Sequence, residues 1–191
     1  MSKLYFRYGA MSSSKTANLL MVAHNYEIQN KKVLIVKPQI DVRFGNNLIK
    51  SRTGLEKTAD IILSQNDSIL DQNITFSDYD AILVDEVQFL TEKQIEELRH
   101  ITVCLPVICY GLRTDYRLKL FPASKRLMEL ADSIEEVKTT CHFCNKKAII
   151  NLKFNNVDGK IIKDGSDEVD LGAEDKYLGS CWFCWQSREK I

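Results

Sequence analysis

The period of the apolar positions changes repeatedly along the chain. Leu4, Phe6 and Tyr8 alternate with other residues as in a strand, and Ala17, Leu20, Met21 and Ala23 then recur at helical spacing. Residues 32–37 (Val33, Leu34, Ile35, Val36) and the run Ala81, Ile82, Leu83, Val84 are short and continuously apolar, the pattern of strands buried on both faces. A segment with Gly54 and a helical pattern over 55–63 lies between them. Thr91-Glu92-Lys93-Gln94 is a capping box that opens a helix to about His100. An apolar strand over 102–110 follows, in which Cys104 and Cys109 read as buried free thiols. A polar loop (111–122), a helix over about 124–131 and a last core strand near 134–138 complete this half. Strands alternating with helices predict an α/β fold, a largely parallel sheet flanked by helices with right-handed crossovers. From Cys141 the pattern breaks into short strand-like pieces and turn residues, such as Asn155-Asn156-Val157-Asp158-Gly159 and Asp164-Gly165. The expected division is therefore residues 1–140 and a small second domain over 141–191.

Composition narrows the function classes. The 191 residues are 45% apolar and 27% charged, with 26 basic residues against 26 acidic ones. Zero net charge offers no broad basic face, so no nucleic-acid partner is expected. No apolar run has membrane-spanning length and the N-terminus lacks a signal-peptide core, so the expected location is the cytoplasm, with no membrane association.

The first strand and helix are joined by Gly9-Ala10-Met11-Ser12-Ser13-Ser14-Lys15-Thr16. Strand, phosphate loop, helix is the order that such chemistry needs. Loop N–H groups turn inward to cradle phosphates, the helix N-terminus adds its field, Lys15 brings an ammonium and the Thr16 hydroxyl can ligate Mg²⁺. Ser14 stands where the pattern has glycine; if that position requires a positive φ, a side chain there costs about 1–2 kcal/mol. A serine-rich N-cap would look similar, and the downstream residues decide against it. Asp85 and Glu86 end a buried strand, and ligands of open α/β sheets bind beyond such tips. Asp85 would face the Mg²⁺ held by Thr16, leaving Glu86 for other work.

Cys141-x-x-Cys144 and Cys181-x-x-Cys184 are two knuckles that close a tetrahedral four-thiolate site, the pattern of a structural Zn²⁺. Disulfides do not suit the expected compartment. His142, inside the first knuckle, is not needed as a ligand; His24 and His100 fall in helices and are assigned no role.

In order along nearly the whole chain, these motifs resemble the type II (cytosolic and bacterial) thymidine kinases. The resemblance rests on the N-terminal Gly-x-Met-x-Ser-x-Lys-Thr loop, Asp41-x-Arg43, Asp85-Glu86-x-Gln88-Phe89 and Cys109-Tyr110-Gly111-Leu112-Arg113-Thr114-Asp115-Tyr116-Arg117. It continues in Leu130-Ala131-Asp132, the first knuckle, and Leu171-Gly172-Ala173-x-x-x-Tyr177-x-x-x-Cys181. Three positions depart from the family pattern: Ser14 and Ala173 replace glycines, and Tyr116 replaces phenylalanine.

The resemblance implies a RecA-like P-loop domain with a small zinc-ribbon-like domain carrying a lasso loop. It implies phosphoryl transfer from ATP to the thymidine 5′-hydroxyl, with Glu86 as general base and Arg43 stabilising the transferring group. Gly9 to Thr16, Asp85 and Gln88 are expected to bind ATP and Mg²⁺. Asp41, Phe89, Leu112, Tyr116, Phe121 and Tyr177 are expected around the nucleoside, with Met11 and Tyr177 near the thymine methyl. Glu168, Val169, Asp170, Leu171 and Gly172 correspond to the lasso, which grips the base through its backbone. A homotetramer and feedback inhibition by thymidine triphosphate are also implied. Two other classes remain for comparison. A helicase-type motor would need a second lobe and a strand-tracking groove. A zinc-bearing nucleotide switch would not need Glu86 beside Asp85 and Arg43. Within the kinase class, a broader deoxynucleoside kinase is the alternative.

Overall fold

The computed structural model describes residues 2–165 and 176–191. The chain runs through β1 (Leu4–Tyr8), α1 (Lys15–Glu27), β2 (Val33–Pro38), a hairpin of β3 (Leu48–Lys50) and β4 (Glu56–Thr58), and β5 (Ile61–Leu63). It continues through β6 (Ala81–Val84), α2 (Glu92–Ile101), β7 (Val107–Gly111), α3 (Pro122–Leu130) and β8 (Ser133–Glu136). A six-stranded parallel sheet has the order β5-β2-β6-β7-β1-β8. Because β7 lies between β1 and β6, its tip separates the loop after β1 from the acids after β6.

The continuous apolar runs are explained by burial on both faces of this sheet. Val33, Ile35, Ala81, Leu83, Ile108 and Tyr110 face α1, packing with Leu19, Leu20 and Ala23. Their neighbours Leu34, Val36, Ile82, Val84, Val107 and Cys109 face α2 and α3 through Ile95, Leu98 and Leu127. Period-two alternation thus splits each strand between two cores. Truncating a fully buried member such as Leu83 to alanine costs about 2–5 kcal/mol in such a setting. The capping box is present: Thr91 Oγ1 accepts from the Gln94 N–H at 3.2 Å and Gln94 Oε1 accepts from the Thr91 N–H at 2.9 Å.

Three expectations are corrected. Residues 55–63 are not helical but supply β4 and β5. Their apolar spacing suits a helix, yet Ile61 and Leu63 alternate into the sheet edge beside β2, while Glu56–Thr58 pairs back on Leu48–Lys50. Cys104 is exposed rather than buried in a strand. The chain turns after α2, with the Cys104 N–H bonded to the Ile101 carbonyl at 2.9 Å, and β7 begins only after Pro106, which has no N–H to donate. The strand near 134–138 is Ser133–Glu136, a half-exposed edge beside β1 rather than core.

A second, antiparallel sheet has the order β10-β9-β11, formed by β9 (Ile150–Phe154), β10 (Ile161–Ile162) and β11 (Tyr177–Ser180), with α4 (Trp182–Ser187) after it. Among the described residues its strands bury Ile150, Leu152, Phe154, Ile161 and Tyr177, of which Leu152, Phe154 and Ile161 form one apolar cluster. Among the described residues no helix is long and apolar enough to cross a membrane.

Candidate active site

The loop after β1 is wrapped around its own lysine. Lys15 Nζ, buried, donates to the Gly9 carbonyl at 3.1 Å, the Ala10 carbonyl at 3.0 Å and Ser13 Oγ at 3.3 Å. Ser12 and Ser14 have φ of 63° and 64°, so the position that the pattern reserves for glycine does adopt the left-handed conformation. That strain, about 1–2 kcal/mol for a side chain, is stored where the loop must hold its shape. Thr16 Oγ1 donates to Asp85 Oδ2 at 3.1 Å, joining the start of α1 to the tip of β6. Residues Met11 to Ala17, Arg43, Glu86 and Leu112 face a cavity of about 260 Å³ above the loop.

Beside it runs a buried chain of charges. Arg43 donates from Nε to Asp41 Oδ1 at 2.6 Å and from Nη2 to Glu86 Oε1 at 2.6 Å. The other Glu86 oxygen accepts from Gln88 Nε2 at 2.5 Å, and Gln88 Oε1 accepts from the Leu112 N–H at 2.9 Å. Gly111 makes this possible, since a Cβ there would lie 2.5 Å from Gln88 Oε1. Glu86 itself has φ 47° and ψ 39°, a left-handed residue at the strand tip. Its carboxylate is thus over-determined on both oxygens, which is what a strained functional position requires to persist.

Electrostatics separates the two acids. Burial, followed by the charge of Glu86, pushes Asp85 up to about 7. Burial would also raise Glu86, but Arg43, Lys15 and the Gln88 hydrogen bond together hold it below its ordinary value. Asp41 behaves likewise: its burial is outweighed by hydrogen bonding and charge from Arg43, with Lys37 adding to them. At neutral pH Glu86 is therefore an ionised carboxylate at the cavity wall. Neighbouring carboxylates pushed apart in this way are a mark of acid–base sites.

The residues expected around the nucleoside make separate sets of contacts. Phe89 and Phe121 meet edge to face with ring centroids 6.2 Å apart. Leu112, Tyr116 and Phe121 are buried. Tyr116 lies under Lys153 Nζ, 4.7 Å from its ring centroid, and its hydroxyl approaches Gly165, where a Cβ would come within 2.4 Å of it. Tyr177 is in β11, paired with Lys153 of β9. Gln88 and Asp41 stand behind Glu86 and Arg43 respectively, not along the phosphate loop. Glu168, Val169, Asp170, Leu171 and Gly172, with Ala173, lie outside the described residues.

The four knuckle cysteines converge, all as free thiols. Their sulfurs lie within 4.8 Å of one another, with Cys144 Sγ 3.7 Å from Cys181 Sγ and from Cys184 Sγ. A tetrahedron of thiolates about 2.3 Å from zinc has edges of about 3.8 Å, close to these two separations, so the set could hold a structural Zn²⁺. His142 is exposed at its side chain, and its N–H bonds the Gly179 carbonyl at 2.8 Å.

A profile of the thymidine kinase family matches residues 2–185. The chain belongs to the thymidine kinase family. It is 42% identical to the thymidine kinase of Lactiplantibacillus plantarum over 183 residues, 95% of this chain and 94% of that one. The thymidine kinase of Chromobacterium violaceum is 38% identical over 187 residues, 97% of this chain and 98% of its own. That of Francisella tularensis subsp. holarctica is 42% identical over 196 residues, again 97% and 98%. Among solved structures, the Pif1 helicase from Candida albicans aligns with a TM-score of 0.41 and 11% identity over 71% of this chain and 36% of its own, too remote to bear on chemistry.

Some residues of this thymidine kinase family site give no signal in the sequence. Lys37 is fully buried at the end of β2, 3.4 Å from Asp41 Oδ2, and donates to the Leu48 carbonyl at 3.1 Å. Asn151 of β9 accepts from the Met11 N–H at 2.8 Å and donates to the Thr114 carbonyl at 2.8 Å, bridging the phosphate loop and the segment before Tyr116. A lone lysine at a strand end and an asparagine within a short strand carry no motif. Only the tertiary juxtaposition shows what they hold.

Proposed function

We propose that the chain transfers the γ-phosphate of ATP to the 5′-hydroxyl of thymidine, giving thymidine monophosphate. The observation that carries this reading is Glu86, an ionised carboxylate fixed by Arg43 and Gln88 at a strand tip beside the phosphate loop. ATP lies with its phosphates on residues 9–16 and Lys15 against them. Thr16 and Asp85 are adjacent and of the right donor type to hold Mg²⁺, directly or through a water. When bound, Mg²⁺ supplies charge to neutralise the phosphates.

Glu86 accepts the proton of the 5′-hydroxyl as its oxygen attacks the γ-phosphorus, and ADP leaves with the electrons of the broken P–O bond. Arg43, which bridges Glu86 and Asp41, is within reach to turn to the transferring phosphoryl group. Leaving Glu86 would also raise the basicity of that carboxylate at the moment it is needed. Phe89, Leu112, Tyr116 and Phe121 wall the thymine pocket. Residues 141–191 form the zinc-held lid, closing over the nucleoside through residues 168–172 and excluding water that could intercept the phosphoryl group. A structural Zn²⁺ anchors both ends of that lid. Thymidine triphosphate as feedback inhibitor, a homotetramer and a cytoplasmic location complete the proposal.

The test is ADP release by purified protein with Mg-ATP. Release that requires thymidine supports the reading. Release stimulated by single-stranded nucleic acid, or independent of any acceptor, contradicts it. Equal phosphorylation of purine deoxynucleosides would make a broader deoxynucleoside kinase the better name.

A further inference from the structure

One departure from the family pattern, Tyr116 in place of phenylalanine, adds a hydroxyl to a buried ring. That oxygen faces Gly165, three positions before the segment 168–172. A Cβ at residue 165 would stand 2.4 Å from the hydroxyl oxygen, but 3.6 Å from the ring carbon that bears it, an ordinary contact. Gly165 does not have the left-handed φ of Gly159, so its backbone suits any residue. Among the described residues, the Tyr116 hydroxyl alone excludes a side chain there.

The turn that carries Tyr116 is held from several sides. Asp115 is buried, and its Oδ1 accepts from the Arg117 N–H and the Lys119 N–H at 2.9 Å each, while its Oδ2 accepts from Arg117 Nε at 2.7 Å. The Thr114 carbonyl accepts from Asn151 Nδ2 of β9 at 2.8 Å, and Lys153 of the same strand lies over the Tyr116 ring. From this turn Arg117 Nη1 donates to the Gly165 carbonyl at 3.1 Å. Two adjacent side chains thus meet residue 165: Arg117 holds its carbonyl, and the Tyr116 hydroxyl occupies the place of its side chain. A ring that served only as an apolar wall would need neither the hydroxyl nor a glycine opposite it.

We propose that the Tyr116 hydroxyl is a positioning group for the nucleoside. With Arg117 it fixes residue 165, between β10 and residues 168–172, at a set distance from the pocket wall that the Tyr116 ring itself forms. This deepens the kinase reading and rests on Phe89, Leu112, Tyr116 and Phe121 being the thymine pocket. The physical basis is steric. One oxygen on the wall and one absent methyl on the facing chain define a single separation, and adding the methyl drives the two apart. Removing the oxygen leaves a space that the methyl can fill. Hydroxyl and glycine therefore form a matched pair, and each explains the other.

The experiment titrates the full-length protein with thymidine, and separately with Mg-ADP, for wild type, Gly165→Ala, Tyr116→Phe and the double variant. Overpacking at this contact predicts that Gly165→Ala weakens thymidine roughly tenfold. Tyr116→Phe should weaken it a few-fold, and the double variant should return to within roughly threefold of wild type, because the two changes share one contact. Mg-ADP affinity should stay near wild type throughout. A loss from Gly165→Ala that is as large in the Tyr116→Phe background would overturn the proposal. So would Gly165→Ala or Tyr116→Phe binding thymidine as tightly as wild type. Parallel loss of Mg-ADP affinity and melting temperature in Gly165→Ala, not repaired in the double variant, marks a merely structural fault and overturns it as well. Wild-type protein that binds Mg-ADP but not thymidine would overturn the pocket reading itself and this proposal with it.

Discussion

The two sheets are held together by different physics. The parallel sheet buries both faces under helices, and its strand tips carry Lys15, Asp85, Glu86 and Arg43 on a core that includes Leu34, Leu83 and Ile82 at zero exposure. Among the described residues the antiparallel sheet buries Ile150, Leu152, Phe154, Ile161 and Tyr177, a smaller set than that of the parallel sheet, and the segments flanking it gather four thiols. Beside the smaller core, metal held by the four thiols would add folding free energy that apolar area does not supply. The difference shows where each task belongs. In the proposed function the reacting groups stand on the sheet with the deep core, and the enclosing surface hangs from a site that metal would fasten. Among the described residues the contacts between them include Asn151 bridging Met11 and Thr114, Gly179 close against the Met11 carbonyl, where a Cβ would lie at 3.1 Å, and Lys153 over the Tyr116 ring.

The largest expected effect tests the side that carries the chemistry. Glu86→Gln keeps the size of the side chain and one of the two acceptors that Arg43 and Gln88 use, and removes basicity. Steady-state turnover should fall by roughly two orders of magnitude or more, with nucleotide affinity retained. Turnover near wild type would place the base elsewhere.

Asp85→Asn comes next. Removing the charge beside Thr16 should lower Mg-ATP turnover by roughly tenfold or more. Stability should move the other way. The Asp85 pKa is raised to about 7 in the folded protein, so the folded state binds the proton more tightly than the unfolded chain does. The Asp85 contribution is therefore full below the ordinary carboxylate range and is lost as pH rises to about 7. In metal-free buffer at pH 8, Asp85→Asn should melt above wild type, and the gain should vanish near pH 4. A variant that melts below wild type at pH 8 would contradict the assignment of burial as the cause.

Asn151→Leu sharpens the comparison at the junction, because it strands a buried N–H and a carbonyl on the partner side. Roughly tenfold loss of thymidine affinity is expected, together with loss of any enhancement by bound nucleotide, read by titrating thymidine with and without the ATP analogue. An unchanged enhancement would mean that the two sheets communicate elsewhere. The smallest effect is Ser14→Gly. Relief of left-handed strain, about 1–2 kcal/mol, is offset by about 0.5–1 kcal/mol of added chain freedom, leaving a gain of about 0–1.5 kcal/mol by chemical denaturation.

What could be read in advance follows the same division. Features encoded by local spacing were legible: the loop from Gly9 to Thr16, the acids ending β6, the Thr91 capping box and the two cysteine knuckles. The hairpin was not, because residues 55–63 satisfy helical spacing while Ile61 and Leu63 answer to β2, which is distant in sequence. Cys104 was misread because an apolar run does not show where a helix ends and Pro106 delays the next strand. Lys37 and Asn151 matter through what lies across from them, and no single-chain pattern records that.

The account's central claim is that nucleotide and chemistry belong to the parallel sheet, and that the zinc-held region only encloses the nucleoside. The measurement that tests it most directly is calorimetric titration of the protein before and after removal of zinc with a chelator, with Mg-ADP and with thymidine in separate experiments. The account predicts that Mg-ADP affinity survives within a few-fold while thymidine binding is lost, and that restoring zinc restores it. Loss of both ligands together, or thymidine binding that persists without zinc, would contradict it.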